Sequence, residues 1–138
     1  MSALDQAMVS KVLNSTCSAT AFTTLTTAFR IRLDSSAASA SAAGTEITGT
    51  GYTAGGQNSS APFASTSSAG SAVTVPHTAL LSWTNGSGGA WSIVSLNLND
   101  GAGSPVRTYF GNWNGQPISV ANGNTFQVAV DAVSISLT

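Results

Sequence analysis

At 138 residues the chain has room for one domain with its own core, because a domain of that size buries roughly two-thirds of the surface its unfolded chain exposes. Charged residues make up only 7% of it, against about 25% in an average soluble domain, and the formal net charge is -1. This balance argues against disorder, which pairs low hydrophobicity with high net charge, and against nucleic-acid binding, since Lys11, Arg30, Arg32 and Arg107 are too few to build a basic patch.

Taken in chain order, Ser2-Ala3-Leu4-Asp5 has the spacing of a helix N-cap with an acidic partner, and Leu4, Met8 and Val12 recur at i, i+4 and i+8. The pattern predicts a short amphipathic helix ending near Asn14, with an apolar face suited to docking. Residues 1–10 hold neither the basic nor the apolar region of a secretory signal, so synthesis in a cytosol without signal-dependent export is expected. Cys17 has no second cysteine to pair with and reads as a small, half-buried apolar side chain. The Thr-rich residues 22–27 favour extended backbone. From Phe29 to Asp34 the period becomes two: Phe29, Ile31 and Leu33 alternate with Arg30, Arg32 and Asp34, as in a half-buried strand with its charges outward.

Residues 35–43 are almost wholly Ser and Ala and read as a surface loop, as do residues 58–71; both exceed the usual loop length, which points to contacts with something. Between them residues 46–52 suggest a short strand broken by Gly49 and Gly51. Further strands are expected at residues 72–75, 80–84, 91–98, 106–110 and 125–137, the last bending near Asp131 where its apolar residues change phase. Asn85-Gly86, Asn99-Asp100-Gly101, Asn112 to Pro117 and Asn122-Gly123 supply the turns between them. The expected fold is therefore mostly β, an antiparallel β-sandwich of jelly-roll type with a short N-terminal α-helix. Its expected division is a helical docking segment over 1–20 and a sandwich over 21–138.

Chemistry is scarce. One His, one Cys and five carboxylates show no metal-ligand spacing and no acid–base pair, so neither enzymatic activity nor a cofactor or metal is expected, and His77, after Pro76, reads as a loop or edge residue. Gly49-Thr50-Gly51-Tyr52-Thr53-Ala54 matches a dinucleotide-binding pattern in letters only, because no helix can follow Gly55-Gly56. Three Asn-x-Ser/Thr sequons, at Asn14, Asn58 and Asn85, are what chance supplies in so Asn- and Ser-rich a chain. No run approaches the roughly 20 apolar residues of a membrane span, so no membrane insertion is expected. One cluster suits a ligand: Tyr109, Asn112, Trp113 and Asn114 combine aromatic rings for sugar C–H faces with amides for hydroxyls, although Phe110 and Trp113 better suit anchoring a loop in the core or in a subunit interface.

The motifs around Gly49-Thr50-Gly51-Tyr52, Ala72-Val73-Thr74-Val75-Pro76, Trp91-Ser92-Ile93-Val94, Tyr109-Phe110-Gly111 and Ala121-Asn122-Gly123-Asn124, with the closing residues 133–137, resemble in their order small bacteriophage tail-fibre-like or minor virion proteins. The likeness covers roughly residues 25–138. In that family an Arg commonly stands two places after the Tyr, where this chain has Ala54, and a His-Thr-Ala-Asp-Pro-like loop stands where this chain has Leu33-Asp34-Ser35-Ser36. The resemblance implies a β-sandwich virion component on capsid or tail, oligomeric in the particle and not an enzyme. The expected partners are then major capsid or tail proteins and further copies of the chain, with a host-surface glycan as the alternative ligand. The expected location is the virion surface. A surface of hydroxyls and amides with little charge, which gives weak repulsion between copies, agrees with such assembly.

Overall fold

Strands and helix largely follow the two periodicities. In a computed structural model, which describes residues 2–18, 29–58, 67–69, 72–76, 78–100, 106–130 and 132–137, the order is β1 (Ser2–Leu4), α1 (Gln6–Cys17), β2 (Phe29–Asp34), β3 (Gln57–Asn58), β4 (Ser67–Ala69), β5 (Ala72–Pro76), β6 (Leu81–Thr84), β7 (Trp91–Ile93), β8 (Ser95–Asp100), β9 (Arg107–Asn112), β10 (Ile118–Val120), β11 (Thr125–Val128) and β12 (Ser134–Leu137). The chain is mostly β and antiparallel, sandwich-like, with one short helix near its start. The expectations for residues 22–27, His77 and Asp131 lie outside the described residues.

A five-stranded sheet runs β1-β9-β8-β2-β3. The pairs β10-β7 and β11-β6 and the three strands β12-β5-β4 make up the remaining sheets. In β2 the alternation behaves as the sequence predicts: Ile31 and Leu33 are buried at 2% and 0% exposure and stand opposite Leu98 and Leu96 of β8. They meet Leu81 and Trp83 of β6, Trp91 and Ile93 of β7, Val120 and Val128 in one core. Trp83 stacks on Phe126 at 6.0 Å, and Tyr52 meets Trp91 edge-on at 6.2 Å. Each such ring buries a large apolar area, so these few contacts dominate the core's stability.

Five expectations change. Residues 58–71 are not wholly loop: Asn58 ends β3, and Ser67–Ala69 form β4, paired with β5. Ser2 does not cap the helix: Ser2–Leu4 pairs with β9 as an edge strand, Leu4 opposite Tyr109, and the helix begins after Asp5, whose carbonyl accepts from the Val9 amide at 3.0 Å. Residues 46–52 form no strand beyond a single bridge from Glu46 to Asp34. Gly49 and Gly51 instead take φ of 114° and 91° and turn the chain against residues 84–86, so close that a Cβ on Gly51 would overlap the Thr84 carbonyl. The run 91–98 is two strands: at Val94 the chain crosses between sheets, its amide donating to Asp34 O at 2.8 Å and its carbonyl accepting from Trp113 N at 2.7 Å. Cys17 is exposed. Between β11 and β12, Ala132 N donates back to Ala129 O at 3.1 Å.

Two side-chain amides join the sheets. Gln57 presents its carboxamide to β6 like a neighbouring strand, accepting from Ser82 N at 3.2 Å and donating to Ser82 O at 3.4 Å. Asn85, fully buried, donates to Gly89 O and Val120 O and accepts from the Ser87 amide and hydroxyl, while its backbone pairs with Asn124 O and Gly123 N. A buried amide with every bond made fixes two loops to each other at little desolvation cost.

Candidate functional site

The outer face of the five-stranded sheet carries Arg32, Asp34, Ser95, Asn97, Asn99 and Asn112, the positions that alternate with the core residues of β2, β8 and β9. Such a face is normally wetted, yet Asp34, Ser95, Asn97 and Asn99 are buried. The Ser/Ala residues 35–45 lie across it. Ser95 Oγ donates to Ser36 O at 3.0 Å, Asn112 donates to Ala38 O and accepts from Ala38 N at 2.8 Å each, and Arg32 donates to Gly44 O at 3.0 Å. The loop is thus a lid over a polar layer, held by its backbone, and small side chains let it lie close. At Gly44 no side chain fits at all, since a Cβ would meet Ser36 O and the Asp34 carboxylate.

Asp34 is the charge at the centre of that layer. Arg32 Nη2 donates to its Oδ2 at 2.8 Å, Arg32 Nε sits 2.8 Å from Oδ1 as an ion-pair contact without hydrogen-bond alignment, and Asn97 donates to Oδ2. Beside it Glu46 Oε1 accepts from Tyr52 OH at 3.0 Å and from Gly55 N at 2.6 Å, and the same phenol accepts from Leu33 N at 3.1 Å. Burial pushes the Tyr52 phenol well above its ordinary pKa, and the neighbouring Glu46 carboxylate adds to the rise. These groups are spent on one another, which is the mark of structure more than of chemistry.

The lid's other end is clasped by Arg107 of β9. Its guanidinium binds Asp5 Oδ2 at 2.9 and 2.6 Å, donates to Ser39 O at 2.5 Å and Ala42 O at 2.8 Å, and lies 5.0 Å above the Phe110 ring. Asp5 N donates to Thr108 O and Gln6 N to Ala40 O. One arginine therefore ties the start of α1, the lid and the sheet together.

Apart from the partly exposed Lys11, what α1 and the lid show to the outside is apolar or uncharged. The predicted docking face of Leu4, Met8 and Val12 divides: Leu4 lies in β1, Met8 is buried, and Val12 is 39% exposed. Beside Val12 stand Val9 and Leu13, exposed at 39% and 55%, which the sequence reading missed although their i, i+3, i+4 spacing was there to see. Ser10 Oγ turns back to Gln6 O, and Ser15 and Thr16 hydroxyls to Val12 O, so these exposed hydroxyls spend a hydrogen bond on the helix's own carbonyls. A shallow hollow lined by Asp5, Gln6, Ser10, Ala40 and Ser41 separates this stripe from the exposed Ser and Ala of the lid.

The predicted ligand cluster is brought to one end of β9 but only in part left open. Tyr109 is half-buried, its phenol raised in pKa by that burial, and stands opposite Leu98. Asn112 is committed to Ala38. Trp113, 46% exposed, and Asn114 face outward in the turn to β10.

Among the described residues no three His, Cys, Asp or Glu side chains gather as a metal site, and no helix is long and apolar enough to cross a membrane. No family model, curated protein or solved structure matches the chain.

Proposed function

We propose that the chain is a non-enzymatic structural subunit of a bacteriophage particle, a capsid decoration or minor tail component made in the host cytoplasm and carried on the virion surface. It acts by assembly with other virion proteins and with copies of itself. The observation that carries the reading is the stripe of Val9, Val12 and Leu13 beside an uncharged lid: three exposed apolar side chains on one helix, whose Ser15 and Thr16 hydroxyls bond its own carbonyls, suit a protein neighbour. The resemblance in motif order to minor virion proteins supplies the setting. The engagement of Asp5, Asp34 and Glu46 in ion pairs and hydrogen bonds supports a chain without catalysis.

The test is incorporation. Leu13→Asp and Val12→Asp alter exposed positions, so each variant is expected to remain folded by circular dichroism and to be lost from purified particles by at least about tenfold, the scale of one buried charge at an interface. Full incorporation of both folded variants would overturn the docking face.

The exposed ring of Trp113 supports a second reading, a glycan-binding domain of a tail, now centred on Trp113 and Asn114 with Tyr109 as a partial wall. On that reading Trp113→Ala abolishes binding to a glycan array while incorporation is unchanged. Absence of any Trp113-dependent glycan binding removes it.

A further inference from the structure

Asn–Gly is the dipeptide most open to attack of a backbone amide on its own side chain, because glycine offers no Cβ to hinder the approach. The chain has three: Asn85-Gly86, Asn114-Gly115 and Asn122-Gly123. The fold treats them differently. At the first, the carboxamide is buried and held by four hydrogen bonds, and the Gly86 amide that would attack donates to Thr50 O at 2.9 Å, with the Thr50 methyl 3.2 Å from where a Cβ would stand. At the third, Asn122 Oδ1 accepts from Gly88 N at 2.9 Å, and the attacking amide, Gly123 N, donates to Asn85 O at 2.6 Å. At the second, neither the Asn114 carboxamide nor the Gly115 amide has a hydrogen-bond partner among the described residues. Asn114 is exposed, open space surrounds Gly115, and the turn is tied only at its ends, by Trp113 N on Val94 O and by β10 from Ile118.

We propose that Asn114-Gly115 is a self-modification site of the folded protein, at which Asn114 is converted to aspartate or isoaspartate while Asn85 and Asn122 are protected. The Gly115 nitrogen attacks Asn114 Cγ; the new N–Cγ bond forms as the Cγ–Nδ2 bond breaks, and ammonia leaves with the proton the amide nitrogen gives up. Water then opens the cyclic imide at either carbonyl. No oxidant or cofactor takes part. The product is one new carboxylate beside Trp113, on a chain whose formal net charge is -1. The change would be felt most at this bare, uncharged tip.

The experiment is a timed incubation of the folded protein at mildly alkaline pH, with a denatured sample in parallel, followed by peptide mass mapping of the three sites. In the folded protein Asn114 is expected to convert while Asn85 and Asn122, which react only when their loops open, lag by on the order of tenfold or more. In denaturant the three are expected to react at similar rates. Asn114→Gln should remove the acidic species seen by ion exchange. Conversion of Asn85 or Asn122 as fast as Asn114 in the folded protein overturns the proposal. So does the same preference for Asn114 in the denatured chain, or an Asn114 that reacts only there.

Discussion

Tyr52 does two jobs with one oxygen, accepting from Leu33 N and donating to Glu46, while its ring leans on Trp91. Replacing it by Phe keeps the ring, strands the Leu33 amide and leaves Glu46 Oε1 with the Gly55 amide, so Tyr52→Phe is expected to cost about 1–3 kcal/mol, the penalty for a buried donor left unpaired. The pH dependence has a definite sign. Because the folded state raises the phenol's pKa above its ordinary 10.0, folding favours the protonated form. Wild-type stability is therefore whole below about pH 10 and falls as the pH climbs further, since the unfolded chain gives up the proton first. Urea midpoints measured from about pH 8 to 11 should show this fall, and Tyr52→Phe should flatten it to the part contributed by Tyr109, which burial also raises. An unchanged slope in the variant would place the titrating group elsewhere. Asp34 makes the opposite use of burial: a fully enclosed carboxylate tolerates its site only because Arg32 and Asn97 both point at it.

At the scale of elements the lid over residues 35–45 depends on Arg107. Arg107→Ala removes the guanidinium that the Asp5 carboxylate, Ser39 O and Ala42 O share, and a loss of about 3 kcal/mol is expected from breaking a largely buried pair. Limited proteolysis should then cut within the Ser/Ala lid, and Arg107→Lys should rescue little, because one ammonium cannot span Asp5, Ser39 and Ala42 as the planar fork does. A lid equally resistant in the alanine variant would show that Asn112 and Ser95 suffice to hold it. The strands were legible in the sequence wherever side chains carry the pattern: Phe29, Ile31 and Leu33 announce the inward face of β2, and Asn-Gly pairs mark its later turns. The lid was not legible. Its Ser and Ala have no period, they act through carbonyls, and their partner Arg107 is 68 residues beyond Ser39. The helix start was missed for a similar reason, since Ser2–Leu4 is claimed by β9, an element the local pattern around Ser2 says nothing about. Of the expected docking face of Leu4, Met8 and Val12, Val12 is exposed and Met8 is buried, while Val9 and Leu13 went unread because the helix was phased from Leu4.

For the whole molecule these contacts bear on the expected division at residue 20. A 12-residue helix is marginal alone in water, and here it is joined to the sheet through β1, Asp5 and Gln6. The helix and the sheets are therefore expected to unfold together: far-ultraviolet helical signal and tryptophan fluorescence should trace one coincident transition in denaturant, and a separate early loss of helix would restore an independent N-terminal segment. The clasp at Arg107 also orders events in time. Its bond to Asp5 closes a span of 102 residues and the Asn112–Ala38 pair one of 74, so neither can form until β8 and β9 have found β2. Loop closure of that length is met late in folding and makes its topology slow. In refolding the helical signal should rise with the tryptophan signal, not ahead of it, and the lid should be the last part to close. A chain emerging from synthesis thus keeps its polar layer open until residue 112 is available, and the apolar stripe of α1 gains its fixed bearing only then, so that a docking partner of the kind proposed would meet no finished surface before that point.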